Sequence, residues 1–391
     1  MSGDTLERDA AMFWAAVTEP NDHIAGLLVS HLGPAEARKW LSAIGTRSDA
    51  ISDATVDRLG LSGEMGARRL ATAVARWNTR RDTIDIQELR RRTELLGARF
   101  IIPCDAEWPQ QLADLGPGAP SGLWVRGDAT VVAKSGYGAA IVGARAATAY
   151  GETVTAMLVS RMAERGLTVV SGGAFGIDAC AHQCALRMQT PTIAVLAGGI
   201  DQLYPAANSD LLRAIESSGG ALVSESAPGS TPMKSRFLSR NRLIAALSGA
   251  TVVVEAAWRS GSLSTANHAL ELGRPVGVVP GPITSAQSAG CHRLLRESPA
   301  EVLSTPEDVV DLVPGQPKVQ VQAGSGSRSD AEQFDPMELR VLDGLKRSTP
   351  VSVDDLCVAS GLAPAEVLMT LSRLEFRGAI RQDLRGWHRS R

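Results

Sequence analysis

Long apolar runs and paired cysteines are scarce in this chain. No apolar stretch approaches the roughly 18 residues of a membrane-spanning helix. The five cysteines are odd in number and scattered, which argues against a disulfide framework and favours a reducing compartment. The N-terminal stretch carries acids and lacks the apolar segment of a secretory signal. We therefore expect a cytoplasmic chain without a membrane span.

Excess charge of either sign is missing as well. The 391 residues include 40 basic and 42 acidic side chains, for a formal net charge of −2. Lysine is rare, so almost all of the positive charge is arginine. A polycation is excluded, and any nucleic-acid surface has to be a local patch. An apolar content of 44% excludes global disorder.

Composition divides the chain into four parts. Residues 1–85 are expected to form short helices, and residues 86–313 alternate apolar strands with amphipathic helices. Residues 314–335 are rich in Pro, Gly and Ser and predict a flexible linker. Residues 336–391 contain three helical patterns and a hairpin pattern, which are the parts of a winged-helix domain.

The N-terminal part contains the stretch SHLGPAEARKWL, which leads into a predicted helix near 34–43. This pattern resembles a sterile-alpha-motif (SAM) or helix-hairpin-helix unit. Units of this kind often hold nucleic-acid backbones. A plain helical packing domain remains the open alternative.

The central part predicts an α/β fold, with a Rossmann-like, doubly wound parallel sheet covered on both faces. Helices are expected near 150–165, 177–187, 208–218, 237–248 and 262–272. Because ligands of such sheets sit at the carboxyl ends of the strands, the turns there are the candidate site. The predicted strands are Ala139–Val142, Thr168–Val170, Thr192–Leu196, Ala221–Ser224, Thr251–Val254 and Pro275–Val279.

The first two turns contain glycines next to possible anion donors. Gly143, Arg145 and Thr148 follow the first strand, where a helix N-terminus and a guanidinium suit a phosphate. Pairing of this arginine with a nearby acid is the alternative. The second turn contributes a hydroxyl, close-approach glycines and an aromatic ring on which a base could stack. Asp178 in that turn is more plausibly a loop-tying acceptor than a catalytic acid. The candidates of the second turn are Ser171, Gly172, Gly173 and Phe175.

A third candidate region is a basic stretch without acids. No acidic residue occurs between Ser226 and Val254. A helix starting near 237 would place cations in its first turn, where the helix dipole disfavours them unless an anion is near. A solvated basic face is the alternative. The candidates of this stretch are Lys234, Arg236, Arg240, Asn241 and Arg242.

Motifs of covalent enzymes, ATPases and dinucleotide-binding proteins do not occur. There is no G-x-G-x-x-G at the first turn, no Walker A loop and no G-x-S-x-G elbow. Cys180, His182 and Cys184 share one predicted helix, but the histidine faces away from both cysteines. We expect no cofactor, no metal and no catalytic residue.

Several motifs in order resemble the DprA (Smf) family of DNA-processing proteins. The resemblance is strong over residues 100–300. Arg145 takes the place of the arginine in the family's Gly-Ser-Arg motif, with Ala144 in place of the serine. Phe237-Leu238 replaces the family's Phe-Pro. The remaining matches are SGGAFGID at 171–178 and RNR at 240–242.

The resemblance implies an extended Rossmann-like core that binds single-stranded DNA without a nucleotide cofactor. It implies a homodimer that protects incoming strands and loads RecA onto them during natural transformation, with single-strand-binding protein as a further partner. A phosphoribohydrolase with a related sheet is the enzyme alternative. That family places a glutamate directly after its Gly-rich turn, whereas here the first one is Glu271.

Overall fold

The computed structural model describes residues 3–45, 53–61, 64–315, 335–345, 350–376, 379–383 and 386–389. The described residues up to 315 group into one unit, and those from 335 onward group into a second. The linker expected at 314–335 lies almost entirely outside the described residues. The boundaries at residues 85 and 313 stay predictions.

The N-terminal region is helical, as predicted, and it includes a helix over Pro34–Ile44. Asp22 and Asp85 begin two of the helices, since each carboxylate accepts hydrogen bonds from backbone amides of the first turn. Trp14 and Trp77 pack edge to face in the core, with ring centroids 5.3 Å apart. The helices are α1 (Gly3–Val17), α2 (His23–Leu32), α3 (Pro34–Ile44), α4 (Asp53–Arg58), α5 (Glu64–Arg81) and α6 (Ile86–Leu95).

A nine-stranded sheet forms the centre of the first unit, in the order β1-β2-β6-β5-β4-β3-β7-β8-β9. All six predicted strands are confirmed to within one residue at each end. The strands are β1 (Arg99–Ile101), β2 (Leu123–Gly127), β3 (Gly138–Val142), β4 (Thr168–Ser171), β5 (Thr192–Val195), β6 (Ala221–Ser224), β7 (Ala250–Val253), β8 (Val276–Val278) and β9 (Glu301–Val302).

The order of the strands makes the sheet doubly wound. β3 pairs in parallel with β4 on one side and with β7 on the other. The chain moves outward from β3 to β6, then returns to the centre and moves outward again from β7 to β9. The topological switch point therefore lies between β3 and β7, where ligands of such sheets bind.

Helices cover both faces of the sheet, as predicted. Leu243 and Leu263 belong to the core on one face, and Leu158 and Ile177 belong to the core on the other. The helices are α7 (Ala129–Ala133), α8 (Ala149–Glu164), α9 (Ile177–Arg187), α10 (Ser209–Ser217), α11 (Lys234–Leu247), α12 (Ser262–Glu271), α13 (Ala289–Glu297) and α14 (Asp308–Leu312).

Two features of the core differ from the sequence-based expectation. β1 and β2 add an antiparallel edge to the parallel sheet, with β2 paired to β6. α11 begins at Lys234, about one turn before the predicted start near 237. Arg240, Asn241 and Arg242 consequently lie beyond the first turn and are buried.

The N-terminal helices contact the core through two arginines of α11. Arg236 Nε donates to Glu19 Oε2 at 2.9 Å, and Arg242 Nε donates to Asn21 Oδ1 at 3.1 Å. Burial raises the pKa of Glu19, but hydrogen bonds from Arg236 and Arg80 outweigh it and hold that pKa below its usual value. The loop between α1 and α2 is thereby tied to the helix that lines the candidate site.

The second unit has the predicted three helices and hairpin. Asp335 accepts from the Glu338 amide and Glu338 from the Asp335 amide, a capping box that begins the first of these helices. Among the described residues no single helix is long and apolar enough to cross a membrane, although α16 and α17 reach that length and composition as a sharply bent pair. The elements are α15 (Pro336–Gly344), α16 (Val353–Ser360), α17 (Pro364–Phe376), β10 (Ile380–Asp383) and β11 (Gly386–Arg389).

Candidate nucleic-acid interface

A cavity of about 660 Å³ opens at the switch point of the sheet. The turn after β3, the loop after β7 and the exposed side of α11 line it, as convergence of the strand ends predicts. Five of the twelve predicted site residues contribute to its wall: Gly143, Arg145, Lys234, Arg240 and Asn241.

Arg145 follows β3 and is exposed in the cavity wall. Its guanidinium carbon lies 5.7 Å from the ring centroid of Phe237. Within the described segments no carboxylate lies at ion-pair distance from it. The alternative that this arginine pairs with an acid therefore does not describe the structure, and its charge is available to a ligand.

Lys234 and Arg259 supply two further exposed cations of the cavity wall. Neither has an acidic partner among the residues that the structure describes. The sequence analysis missed Arg259, although it follows a buried strand as Arg145 does and stands directly before the Ser260-Gly261-Ser262 turn. It missed Phe237 as well, an aromatic residue within the basic stretch that contributes a ring to the cavity.

Arg240 is largely buried and forms part of the cavity floor. It donates to the carbonyl oxygens of Gly172, at 2.8 Å, and Val195. A Cβ at Gly172 would lie 2.7 Å from both terminal nitrogens of this guanidinium, so a larger residue there would displace the guanidinium from its position. Burial lowers the pKa of Arg240 to about 10, which still leaves it charged at neutral pH.

The expectation that the basic stretch lacks compensating acids is wrong. Arg242 donates to both carboxylate oxygens of Glu225, at 2.7 and 2.9 Å, and Arg236 donates to both of Glu19. Both acids lie outside the stretch 226–254, so its composition could not reveal them. Neither Arg236 nor Arg242 lines the cavity.

The second turn is closed by its own side chains. Asp178 accepts from the amides of Gly172, at 3.1 Å, and Ala174, at 3.4 Å, which confirms it as a loop-tying acceptor. Burial raises the pKa of this carboxyl against the opposing charge of Arg240. Ser171 is buried and its hydroxyl donates to the Ile141 carbonyl at 2.6 Å, so this hydroxyl already has a partner within the sheet, and its role toward an anion stays a prediction.

Gly173 and Phe175, the other two predicted site residues of this turn, do not line the cavity. Gly173 is buried with φ near +67°, a conformation suited to glycine. Phe175 is exposed, as predicted, but it does not line the cavity.

The N-terminus of α8, the helix that follows the first predicted turn, is occupied by a carboxylate of the protein itself. Glu255 is buried and accepts from the backbone amide of Thr148 at 2.9 Å and from its hydroxyl at 2.6 Å. Thr148 in turn accepts from the Gly151 amide and begins α8. The carboxylate takes the place at this N-terminus that a ligand phosphate would need, so the predicted contact of Thr148 with a phosphate has no support in this geometry.

The N-terminus of α12 faces the cavity through Gly261, Ser262 and Thr265. No acidic side chain occurs in its first turn. Asn241 Nδ2 donates to the Gly261 carbonyl at 3.2 Å and so holds this turn against α11. Since Asp178 is the one acid in the described lining, against four cations, the potential of the cavity is positive.

The Cys–His pattern of α9 belongs to the core. His182 is buried, with Nδ1 2.8 Å from the Thr192 hydroxyl, which itself donates to the Val169 carbonyl. Nδ1 therefore carries the proton. Burial, aided by the charge of Arg240, lowers the pKa of His182 to about 3. No group of three potential metal ligands occurs among the described residues.

Comparison with known proteins gives consistent matches. The sequence model of the family described as "DNA recombination-mediator protein A" matches residues 99–314, and that of the "DprA winged helix domain" matches residues 326–383. The chain is 43% identical over 328 residues to the putative DNA processing protein DprA of Mycobacterium tuberculosis, covering 81% of this chain and 82% of that protein. It is 40% identical over 213 residues to protein Smf of Escherichia coli, covering 54% and 56%.

A solved structure is similar as well. The X-ray structure of DNA processing protein A from Streptococcus pneumoniae aligns with a TM-score of 0.61 at 28% identity. The alignment covers 78% of this chain and 97% of that one.

Proposed function

Because the chain belongs to the family of DNA recombination-mediator protein A, we propose that it binds single-stranded DNA in the cavity at the switch point of the sheet. The observation that carries the proposal is the convergence of Arg145, Lys234 and Arg259 around one recess, all exposed and without acidic partners among the described residues. Three such cations can each neutralise one phosphate of a strand.

The lining of the cavity suits a strand whose bases are unstacked. Phe237 offers an aromatic face within 6 Å of two guanidinium groups, those of Arg145 and Arg240. An aromatic ring beside cations binds the face of any base, whereas a duplex keeps those faces stacked. Binding is therefore independent of sequence and favours single strands.

The first test is a comparison of equal-length single- and double-stranded oligonucleotides by fluorescence anisotropy at several salt concentrations. We expect tighter binding of the single strand. Three phosphate contacts should contribute about 2 to the slope of log affinity against log salt, since each contributes roughly 0.7. A flat salt response, or tighter duplex binding, would contradict the proposal.

We extend the proposal to the recombination step that the family name describes. The bound chain protects incoming strands and loads RecA onto them during natural transformation, acting as a cytoplasmic homodimer and as a binding protein rather than an enzyme. We expect it to accelerate RecA filament formation on strands coated with single-strand-binding protein, followed by RecA ATPase activity. Light scattering of the same preparation should give twice the 41.2 kDa of one chain.

The control for loading is the Arg145→Glu variant, which reverses the charge of one exposed cation of the cavity wall. It should fail to accelerate RecA although it is folded and of the same mass in solution. Acceleration that persists without strand binding would place the RecA effect elsewhere in the molecule.

The phosphoribohydrolase alternative has little support in the geometry. Glu271 ends α12 and interacts with His268 at 3.0 Å, away from the N-terminus that faces the cavity. The acid that does line the cavity, Asp178, is already bound by two backbone amides. Neither carboxylate is placed to act as a general acid or base in the cavity.

A further inference from the structure

Trp258 is the exposed member of the seven tryptophans of this chain, all of which lie in the described segments. Half of its surface is accessible, whereas Trp14, Trp77 and Trp124 are fully buried. The proposed function, as derived above, does not use this ring.

The position of Trp258 is at the rim of the cavity. Its neighbours in the chain, Ala257 and Arg259, both line the cavity wall. A strand that leaves the cavity beside this loop would therefore pass close to the indole.

The loop that carries Trp258 is held rigidly. The Ala256 amide donates to the Gln287 carbonyl, and the Gly290 amide donates to the Ala256 carbonyl, both at 2.7 Å. The loop and the start of α13 are so close that a Cβ at Gly290 would lie 2.5 Å from the Ala257 carbonyl oxygen. A rigid loop presents the ring without a large loss of conformational entropy on binding.

Arg293 of α13 lies against the indole, with its guanidinium carbon 4.8 Å from the ring centroid. Its own acidic neighbour, Glu297, is 3.8 Å away, a long ion pair on an exposed surface. The guanidinium thus orients the ring and adds positive charge beside it. An aromatic ring with an adjacent cation is the arrangement that binds one nucleotide of a single strand, the base by stacking and the phosphate by charge.

We propose that Trp258 and Arg293 form a nucleobase-stacking site outside the cavity, which binds the base of a nucleotide as the strand leaves it. This inference rests on the proposed function and adds a contact of different chemistry. The cavity cations recognise phosphates, and Trp258 recognises the face of a base.

The experiment uses the full chain with Trp258→Ala and two strands of equal length, an oligothymidine and an abasic strand. Stacking on one base should give the wild type about a tenfold advantage, so Trp258→Ala should bind oligothymidine about tenfold more weakly. Its affinity for the abasic strand should stay unchanged, and Trp258→Phe should keep most of the affinity for oligothymidine. Oligothymidine should also quench the tryptophan fluorescence of the wild type, and Trp258→Phe should abolish that response.

A matched control is Tyr137→Ala. Tyr137 is an aromatic residue even more exposed than Trp258, but it lies directly before β3, at the amino end of the sheet. It should change neither affinity. Arg145→Glu should weaken both strands, because it acts on the phosphates.

The outcomes separate the stacking site from the proposed function. An unchanged oligothymidine affinity in Trp258→Ala, or an equal loss for both strands, overturns the stacking site while strand binding stands. A change in molecular mass with unchanged affinity overturns it too, since the ring would then contact another protein chain. Failure of the wild type to bind either strand overturns the proposed function itself.

Discussion

Arg145→Glu should weaken binding of single-stranded DNA by about 100-fold at low salt and leave the free energy of unfolding unchanged. The substitution removes one phosphate contact and adds a negative charge in a cavity whose other exposed charges are positive. Because Arg145 is exposed and lies at no ion-pair distance from a described carboxylate, its loss breaks no structural contact of that kind. Anisotropy titrations and urea unfolding of the same preparation measure the two quantities.

The matched control is Lys134→Glu. Lys134 is also exposed, but it ends α7 at the amino end of the sheet. This charge reversal should change affinity less than threefold, since the residue is far from the cavity lining and its charge is screened. If both reversals weaken binding equally, the overall charge of the protein and not the cavity determines its affinity.

Arg240→Met should have the largest effect on stability. The methionine leaves the Gly172 and Val195 carbonyls without their donor and the buried Asp178 carboxylate without a nearby positive charge. Removing one partner from a buried charged network costs about 3–5 kcal/mol. The free energy of unfolding from urea titration should fall by that amount, and affinity should fall with it because the cavity floor is lost.

Lys234→Met gives the matched comparison, with the same replacement on the same helix. Lys234 is exposed and unpaired within the described residues, so its loss should change stability by less than about 0.5 kcal/mol while it lowers affinity. Adding Asp178→Asn to Arg240→Met removes the remaining buried charge and should restore about 1–2 kcal/mol. A stable Arg240→Met protein that binds no DNA would instead make Arg240 a direct ligand of the strand.

Local patterns were sufficient to predict the parallel part of the fold. Each parallel strand from β3 to β8 is a short apolar run between turn residues, and the site lies where those turns meet. β1 and β2 escaped prediction because they pair antiparallel and neither is followed by the long helix of a βαβ unit: α7, the helix after β2, has only five residues. α11 begins earlier than predicted because the loop that contains Thr231-Pro232 ends at Met233, and the residues from Lys234 onward are already helical.

The sequence by itself predicted the family, the strands and helices of the parallel part of the sheet, and the place of the candidate site at the carboxyl ends of those strands. Those features depend on residues that are neighbours in the chain. Only the tertiary structure decided which charges are free. Glu19 and Glu225 neutralise Arg236 and Arg242, Glu255 fills the α8 N-terminus, and Arg259 joins Arg145 from a turn more than one hundred residues away. Whether a charge is compensated depends on distances in space. A doubly wound sheet brings segments that are far apart in the chain close together at its switch point.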